Sequence, residues 1–508
     1  MAGGMSASPR ILLINPEITS RRSARFPLSL LALAGSLEGD YHCRVIDGNV
    51  DRDYLATIRR TLSEGRFEAV GLTVMGGPQV RSAINVSTTV RAVSPETRII
   101  WGGYFPTLYA DAAINAPYVD YAVKGPGEAT LKELLAAIGA REERALGRID
   151  GLVWKRDGQI VHNSERAFAD RRSPRILPYD LLTDPRAYLA PTFLGRRTAA
   201  HQASVGCRFR CTFCGVAAMF RGATGLPPAA RLERDLNWLK ERIGADSIQY
   251  FDHNFFDREA EMVPLLEVLA KAQLPWWCYA RADALLNLSP ASWALVRKSK
   301  LRMAYIGAES PNDALLKSIR KGTTSDQTLA VADLCRRQGV IPELSFMVAP
   351  PQDPEGETER TFEFIREVKR INPRAEIIVY IYTPLPAESL PANSRSRAGA
   401  APLTDLAGNP LRFPATPEEW TERKWIDYAC HADAPWLTER LRRRIHNFVT
   451  VLGCRYPTIQ DVRLSPWSKM TLSALAAWRY RFRRYDRPWE LALSKRLIRL
   501  ADPRATGI

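Results

Sequence analysis

The sequence predicts an α/β protein in three parts: an N-terminal doubly wound Rossmann-like domain, a central partial (β/α)6 TIM-like barrel and a helical C-terminal region. Three observations predict it. Over the first ~140 residues short apolar runs alternate with helical patterns, the rhythm of a parallel sheet wrapped by helices. From Ala199 the alternation resumes for six strand–helix repeats, which suits a barrel with its site at the carboxyl rim. After about residue 400 the pattern turns helical and rich in Trp and Arg.

In chain order, "RILLIN" (10–15) reads as the first strand and "PLSLLALAGSL" from Pro27 as a helix. Strands follow at 43–48, 69–74, 98–103 and 120–125, with helices from Asp51, from about Gln79 and over "EATLKELLAAI". Ligands of such a sheet bind beyond the carboxyl ends of its strands. Those ends carry glycines in "TVMGGPQ" (73–79), "WGGYFPT" (101–107) and "KGPGEAT" (124–130). Glycine there lets a flat ligand or a phosphate lie against backbone, although each turn taken singly reads as an ordinary tight turn. No GxGxxG follows the first strand. "GLVWKRDGQIVHN" (151–163) predicts a hairpin around Asp157-Gly158, and a proline-containing stretch then links to the barrel. Barrel strands are expected at 201–206, 247–252, 276–281, 302–307, 341–348 and 376–382. The expected boundaries are 1–145, 146–195 (hairpin and linker), 196–395 and 396–508.

Length allows about three domains, and an apolar fraction of 46% supplies core for each. "MAGGMSAS" shows no charged lead into an apolar run, and the longest apolar run is shorter than the ~20 residues a membrane span needs. A soluble, cytoplasmic protein is therefore expected. Lys and Arg exceed Asp and Glu by 71 to 55, a net charge of +16 that favours anionic partners. No nucleic-acid motif accompanies it, so nucleic acid is not an expected partner. The tail "AAWRYRFRRYDRPWELALSKRLIRL" interleaves aromatics with arginines; packing against the barrel is preferred over peripheral membrane contact.

Eight cysteines without a regular framework argue against structural disulfides. Cys43, Cys278, Cys335, Cys430 and Cys454 read as buried structural thiols. Cys207, Cys211 and Cys214 stand apart as a CxxxCxxC array in "SVGCRFRCTFCGVAAMF". A closed zinc site takes four ligands, and only His201 offers itself as the fourth. Four cysteines close a [4Fe-4S] cubane; three leave one iron free for a small molecule.

This array at a first barrel strand, with Phe213 before its last cysteine, resembles the radical S-adenosylmethionine enzymes. The resemblance covers roughly residues 196–390. "IQYFDHNFF", "YIGAES", "LKSIRKGTT" and "YIYTPLP" are similar to members carrying an extra cobalamin domain, and residues 9–140 look like that domain. The resemblance implies three cofactors: a [4Fe-4S] cluster on Cys207, Cys211 and Cys214, S-adenosyl-L-methionine on its unique iron, and cobalamin. It implies an external electron donor of flavodoxin or ferredoxin type. It also implies contacts to the cofactors from Phe213, Asp252, Asn254, Glu309, Ser310 and Ser345 in the barrel, and from Thr73, Met75, Gly76, Gly77, Gly102, Gly103, Tyr104, Gly125 and Glu128 in the first domain. No DxHxxG follows the first strand, where "NPEITSRR" stands, so cobalt is expected without a histidine below it. Pro126 and Ala349 depart from the family pattern, at positions where relatives often carry an acidic residue and a glycine.

Other readings compete at several positions. Against a role for Glu309 and Ser310 stands a helix cap, since "SPND" (310–313) can begin a helix, and Asp252 and Asn254 would merely cap a loop. His253 has a side chain suited to acid–base work, while Tyr305, Trp276 and Trp277 are core or cavity wall. Arg281 and Lys321 meet anionic groups or lie solvated. The expected reaction is C-methylation of a small-molecule, lipid or natural-product substrate, through a deoxyadenosyl radical and methylcobalamin. The alternatives are a radical oxidative cyclase or ring-rearranging enzyme, and a zinc-binding scaffold protein.

Overall fold

The computed structural model describes residues 8–19, 23–168, 177–386, 389–390 and 403–501. The N-terminal "MAGGMSA", part of the proline-containing linker and the expected boundary at 395–396 lie outside the described residues.

The first sheet has seven strands in the order β2-β1-β3-β4-β5-β6-β7. Strands β1 (Arg10–Asn15), β2 (His42–Asp47), β3 (Ala69–Thr73), β4 (Arg98–Gly102) and β5 (Tyr121–Val123) run parallel. Ile11, Leu12, Leu13 and Ile14 are wholly buried, as expected of a strand covered on both faces. The expected hairpin forms as β6 (Leu152–Arg156) and β7 (Gln159–His162), and β6 pairs antiparallel with β5, extending the sheet.

The second sheet holds six parallel strands in the order β15-β14-β13-β12-β11-β8. They are β8 (Thr198–His201), β11 (Ser247–Tyr250), β12 (Trp276–Ala280), β13 (Leu301–Glu309), β14 (Ile341–Val348) and β15 (Glu376–Ile381). Sequential strands neighbour one another throughout, as in a partial barrel. The first of them is displaced from the expected 201–206: it ends at His201. Beyond it the chain bends so that Ala203 N–H and Ser204 N–H donate to the Asp252 carboxylate. Val205–Gly206 (β9) instead pairs with Thr224–Gly225 (β10) in a separate ribbon. At the opposite end of the barrel, Gln460 Nε2 donates to Glu343 and Ile459 N–H donates to Glu376, closing the floor.

The C-terminal region is helical at Arg423–Ala429, Glu439–Arg455, Pro466–Arg481 and Trp489–Ala501. It clamps both domains: Trp420 packs on Phe105 and Tyr109, and Trp436 Nε1 donates to Ala349 O at 2.9 Å. The expected packing of the tail holds on one face only. Leu472, Ala476, Tyr480, Tyr485 and Leu491 are buried, while Trp467, Trp478, Phe482 and Trp489 face outward. Cys430 is likewise exposed rather than a buried thiol, because it follows the short Arg423–Ala429 helix at the surface. Cys43, Cys278, Cys335 and Cys454 are buried. Among the described residues no helix is long and apolar enough to cross a membrane.

Candidate active site

The cysteine loop is built from both ends. Gly206, just before Cys207, has φ +79°, and an added methyl there would strike Ala223 O. Thr212 N–H donates to Ile319 O at 3.0 Å, fastening the middle of the loop to the segment after β13. Between Cys207 and Cys211, the Phe209 ring lies under the Arg281 guanidinium at 3.5 Å, with Arg208 at 4.8 Å. Arg281 is buried at the end of β12, where it donates to Asp283 and to Lys321 O at 2.7 Å. Neither Arg281 nor Lys321 is solvated surface.

Burial pushes the Cys207 thiol up to about 11 and the Cys214 thiol up to about 12, and the neighbouring cysteines push in the same direction. Three cysteines in one fastened loop, two of them costly to ionise without a positive partner, suit a multiply charged metal group. Among the described residues no three His, Cys, Asp or Glu side chains are arranged to hold a single metal ion. A cubane needs no such convergence, because each thiolate meets a different iron. His201 is no fourth ligand: its Nδ1 lies 3.1 Å from Tyr179 Oη and its Nε2 3.3 Å from Asp235.

The rim residues fall into distinct settings. Glu309 closes β13 at φ +64° and pairs with Lys321 Nζ at 2.6 Å, both side chains buried. Its carboxylate folds over Gly307, whose missing side chain makes the room. The helix cap is Asn312, not Glu309; Ser310 Oγ accepts from Asn312 N–H at 3.0 Å. Phe213 packs beside Leu316, Ile319 and Met347, 5.9 Å from Lys321 Nζ. Asp252 is raised to about 6 by burial, against bonds from Ser204 and Ala203, so it ties the entry to the cysteine loop. Asn254 Nδ2 donates to Asp257 at 2.9 Å, while its Oδ1 is buried without a protein partner. Ser345 lies beside the Tyr305 phenol. Trp276 is core; Trp277 donates to Glu343 at 2.9 Å.

The first domain's glycine loops meet this rim. Tyr104, first residue of the short helix Tyr104–Leu108 after β4, places its phenol 3.2 Å from His253 Nε2, and a methyl added at Gly215 would sit 3.1 Å from its ring. Gly125 N–H donates to Thr107 Oγ1 at 3.0 Å, and that hydroxyl faces Met219 of helix Gly215–Phe220. Gly103, at φ +95°, presses on the Val74 backbone, so its glycine follows from the turn itself. Gly77 is covered by Cys430 and Gly76 by Ala429. Thr73, Gly102, Tyr104, Gly125 and Glu128 are half-buried and Met75 is exposed, in a domain whose strands are otherwise sealed. The rim presents mainly backbone and one exposed thioether, which suits the approach of a flat ligand.

Arg25 carries no signal in the sequence. Arg25 is exposed overall, and its guanidinium lies 4.1 Å over the Phe251 ring. It reaches from the first domain to the aromatic wall of Phe251, Trp277, Tyr279 and Tyr305.

Comparison with known proteins agrees with this geometry. Residues 202–365 match the Radical SAM superfamily and residues 18–135 the B12 binding domain. An uncharacterized methyltransferase of Pyrococcus horikoshii is 24% identical over 346 residues, covering 67% of this chain and 73% of the relative. The anaerobic magnesium-protoporphyrin IX monomethyl ester cyclase of Synechocystis sp. is 24% identical over 381 residues, covering 71% and 72%. The structure of the radical S-adenosylmethionine methyltransferase TsrM from Kitasatospora setae, with cobalamin and a [4Fe-4S] cluster bound, superposes with a TM-score of 0.66 at 18% identity, over 97% of this chain and 99% of that one. The cobalamin-dependent S-adenosylmethionine radical enzyme OxsB, with aqua-cobalamin bound, gives 0.68 at 17% identity, over 97% and 72%.

A B12 binding domain whose rim meets a radical SAM domain defines an enzyme class that uses a [4Fe-4S] cluster, S-adenosylmethionine and cobalamin together. The chain joins a B12 binding domain to a radical SAM domain, and its relatives include methyltransferases and cyclases.

Proposed function

We propose that the protein methylates an unactivated carbon of a small-molecule, lipid or natural-product substrate held between its two rims. The bound cofactors supply a deoxyadenosyl radical and a transferable methyl group. In this reading Cys207, Cys211 and Cys214 hold the cluster. The Glu309–Lys321 pair offers a carboxylate and an ammonium together, matching the zwitterionic end of S-adenosylmethionine, and Asn254 Oδ1 accepts a hydrogen bond from it. Thr73, Met75, Gly102 and Gly103 face the corrin; Arg25 and the aromatic wall keep water from the substrate.

The observation that carries the reading is the direct contact of the rims through Tyr104, His253 and Gly215, because two-cofactor transfer needs both reacting centres in one cavity. The test is anaerobic incubation of reconstituted protein with S-adenosylmethionine, a low-potential reductant and a small-molecule extract. Deoxyadenosine and S-adenosylhomocysteine should form together. Deoxyadenosine without the homocysteine product overturns methylation and favours the cyclase alternative, which the Synechocystis relative supports.

A further inference from the structure

The C-terminal hairpin leaves an apolar face without a protein cover. On helix Pro466–Arg481 and its C-cap the large exposed apolar residues are Trp467, Met470, Leu475, Trp478 and Phe482, a single stripe at helical spacing. Helix Trp489–Ala501 adds Trp489, Leu493 and Leu497, one stripe at four-residue intervals. Trp467 is 77%, Phe482 65% and Trp489 70% exposed, far beyond the scattered apolar residues of ordinary surface. Exposed Arg481, Arg483, Arg484 and Arg487 crowd the turn between the stripes.

The hairpin is rigid. Buried Arg479 donates to Arg484 O at 3.0 Å and Asp486 O at 2.9 Å and pairs with Glu490, while Arg366 donates to Tyr485 Oη at 2.9 Å. The face is therefore presented by fixed helices and does not need folding on contact.

We propose that this face seats the protein on an anionic lipid bilayer. Tryptophan and phenylalanine prefer the headgroup boundary, and an apolar helix face edged by arginine is the pattern of interfacial helices. Charge complementarity selects the occupant. A two-fold dimer through this face would set the arginine cluster near its own copy, whereas anionic headgroups neutralise it. The net charge of +16 acts in the same direction. The inference is independent of the reaction catalysed.

The test is co-sedimentation of the full-length reconstituted protein with vesicles of phosphatidylcholine alone, or of phosphatidylcholine and phosphatidylglycerol in equal parts. Binding to the anionic vesicles should be at least ~10-fold tighter and weaken with added salt. Trp467→Ser, Trp478→Ser, Phe482→Ser and Trp489→Ser combined should abolish it. Arg481→Glu, Arg484→Glu and Arg487→Glu combined should remove the preference for anionic lipid. All seven side chains are exposed, so both variants should keep the wild-type melting temperature and iron content. Absence of wild-type binding to either vesicle, or binding that both variants retain, overturns the proposal. So does a concentration-dependent dimer that the serine variant dissolves without any vesicle binding, which would assign the face to a second copy.

Discussion

The Tyr104 phenol lies 3.2 Å from His253 Nε2, and this bond joins the two cofactor domains. Gly206 N–H donates to His253 Nδ1 at 3.0 Å, so the ring proton sits on Nε2 and points at Tyr104. Tyr104→Phe removes the acceptor and leaves that N–H without a partner, a loss of about 1–3 kcal/mol. Urea denaturation should show it, with iron content unchanged. Burial lowers His253 from 6.5 to about 4. A histidine depressed in the fold contributes stability that is complete above its ordinary pKa and is lost as pH falls through that window. Stability should therefore decline between those two values, and His253→Gln should flatten the decline.

The stacking of Arg281 on Phe209 holds the cysteine loop together with the Thr212 N–H bond to Ile319 O. Arg281→Ala gives up the stacking and the bonds to Asp283 and Lys321 O. Groups that orient metal ligands affect affinity about 10–100-fold. Iron loss to a chelator should accelerate by about that factor. Arg281→Lys should restore little, because an ammonium has no plane to lay on the ring. Equal chelator half-lives for wild type and Arg281→Ala would reject the role.

The sequence disclosed what depends on local pattern. The parallel strands of both sheets were written in short-range periodicity and the cysteine array in its spacing, and β14 matches its expected 341–348. What depends on long-range contacts was hidden. The displacement of β8 comes from Asp252, some fifty residues away, drawing Ala203 and Ser204 off the strand line. Arg25 over Phe251 exists only because the domains pack, and nothing in "SARFPLS" announces it. The tail shows the same limit: its alternating aromatics and arginines cover the helix all round, so periodicity could not separate the packed face of Leu472 and Tyr480 from the bare face of Trp467 and Trp478.

Ala349 occupies a position where relatives often carry glycine, and the structure gives the reason: its φ is +57°. Thr358 Oγ1 accepts from its N–H at 3.1 Å and Trp436 Nε1 donates to its carbonyl at 2.9 Å, which together hold the strained residue. A left-handed alanine costs about 1–2 kcal/mol, and glycine returns about 0.5–1 kcal/mol of that as unfolded-state entropy. Ala349→Gly should stabilise the protein by roughly 0.5–1 kcal/mol, read as a higher urea midpoint with an unchanged slope. A lower midpoint would mean that the two hydrogen bonds leave no strain to relieve.

The Glu309–Lys321 pair separates a structural role from a ligand-binding one. Glu309→Gln strands a buried ammonium, a loss of about 3–5 kcal/mol. Glu309→Gln with Lys321→Met removes both charges and should recover most of that stability, since a buried pair is replaced by neutral groups of similar volume. If the pair receives S-adenosylmethionine, the double variant should fold and hold iron yet bind S-adenosylmethionine at least ~10-fold more weakly by calorimetry. Gly307→Ala should act like the single variant, because its methyl would fall within contact distance of Glu309 Oε1 and Lys321 Nζ and force the pair apart. Wild-type affinity in a stable double variant would leave the pair a purely structural part.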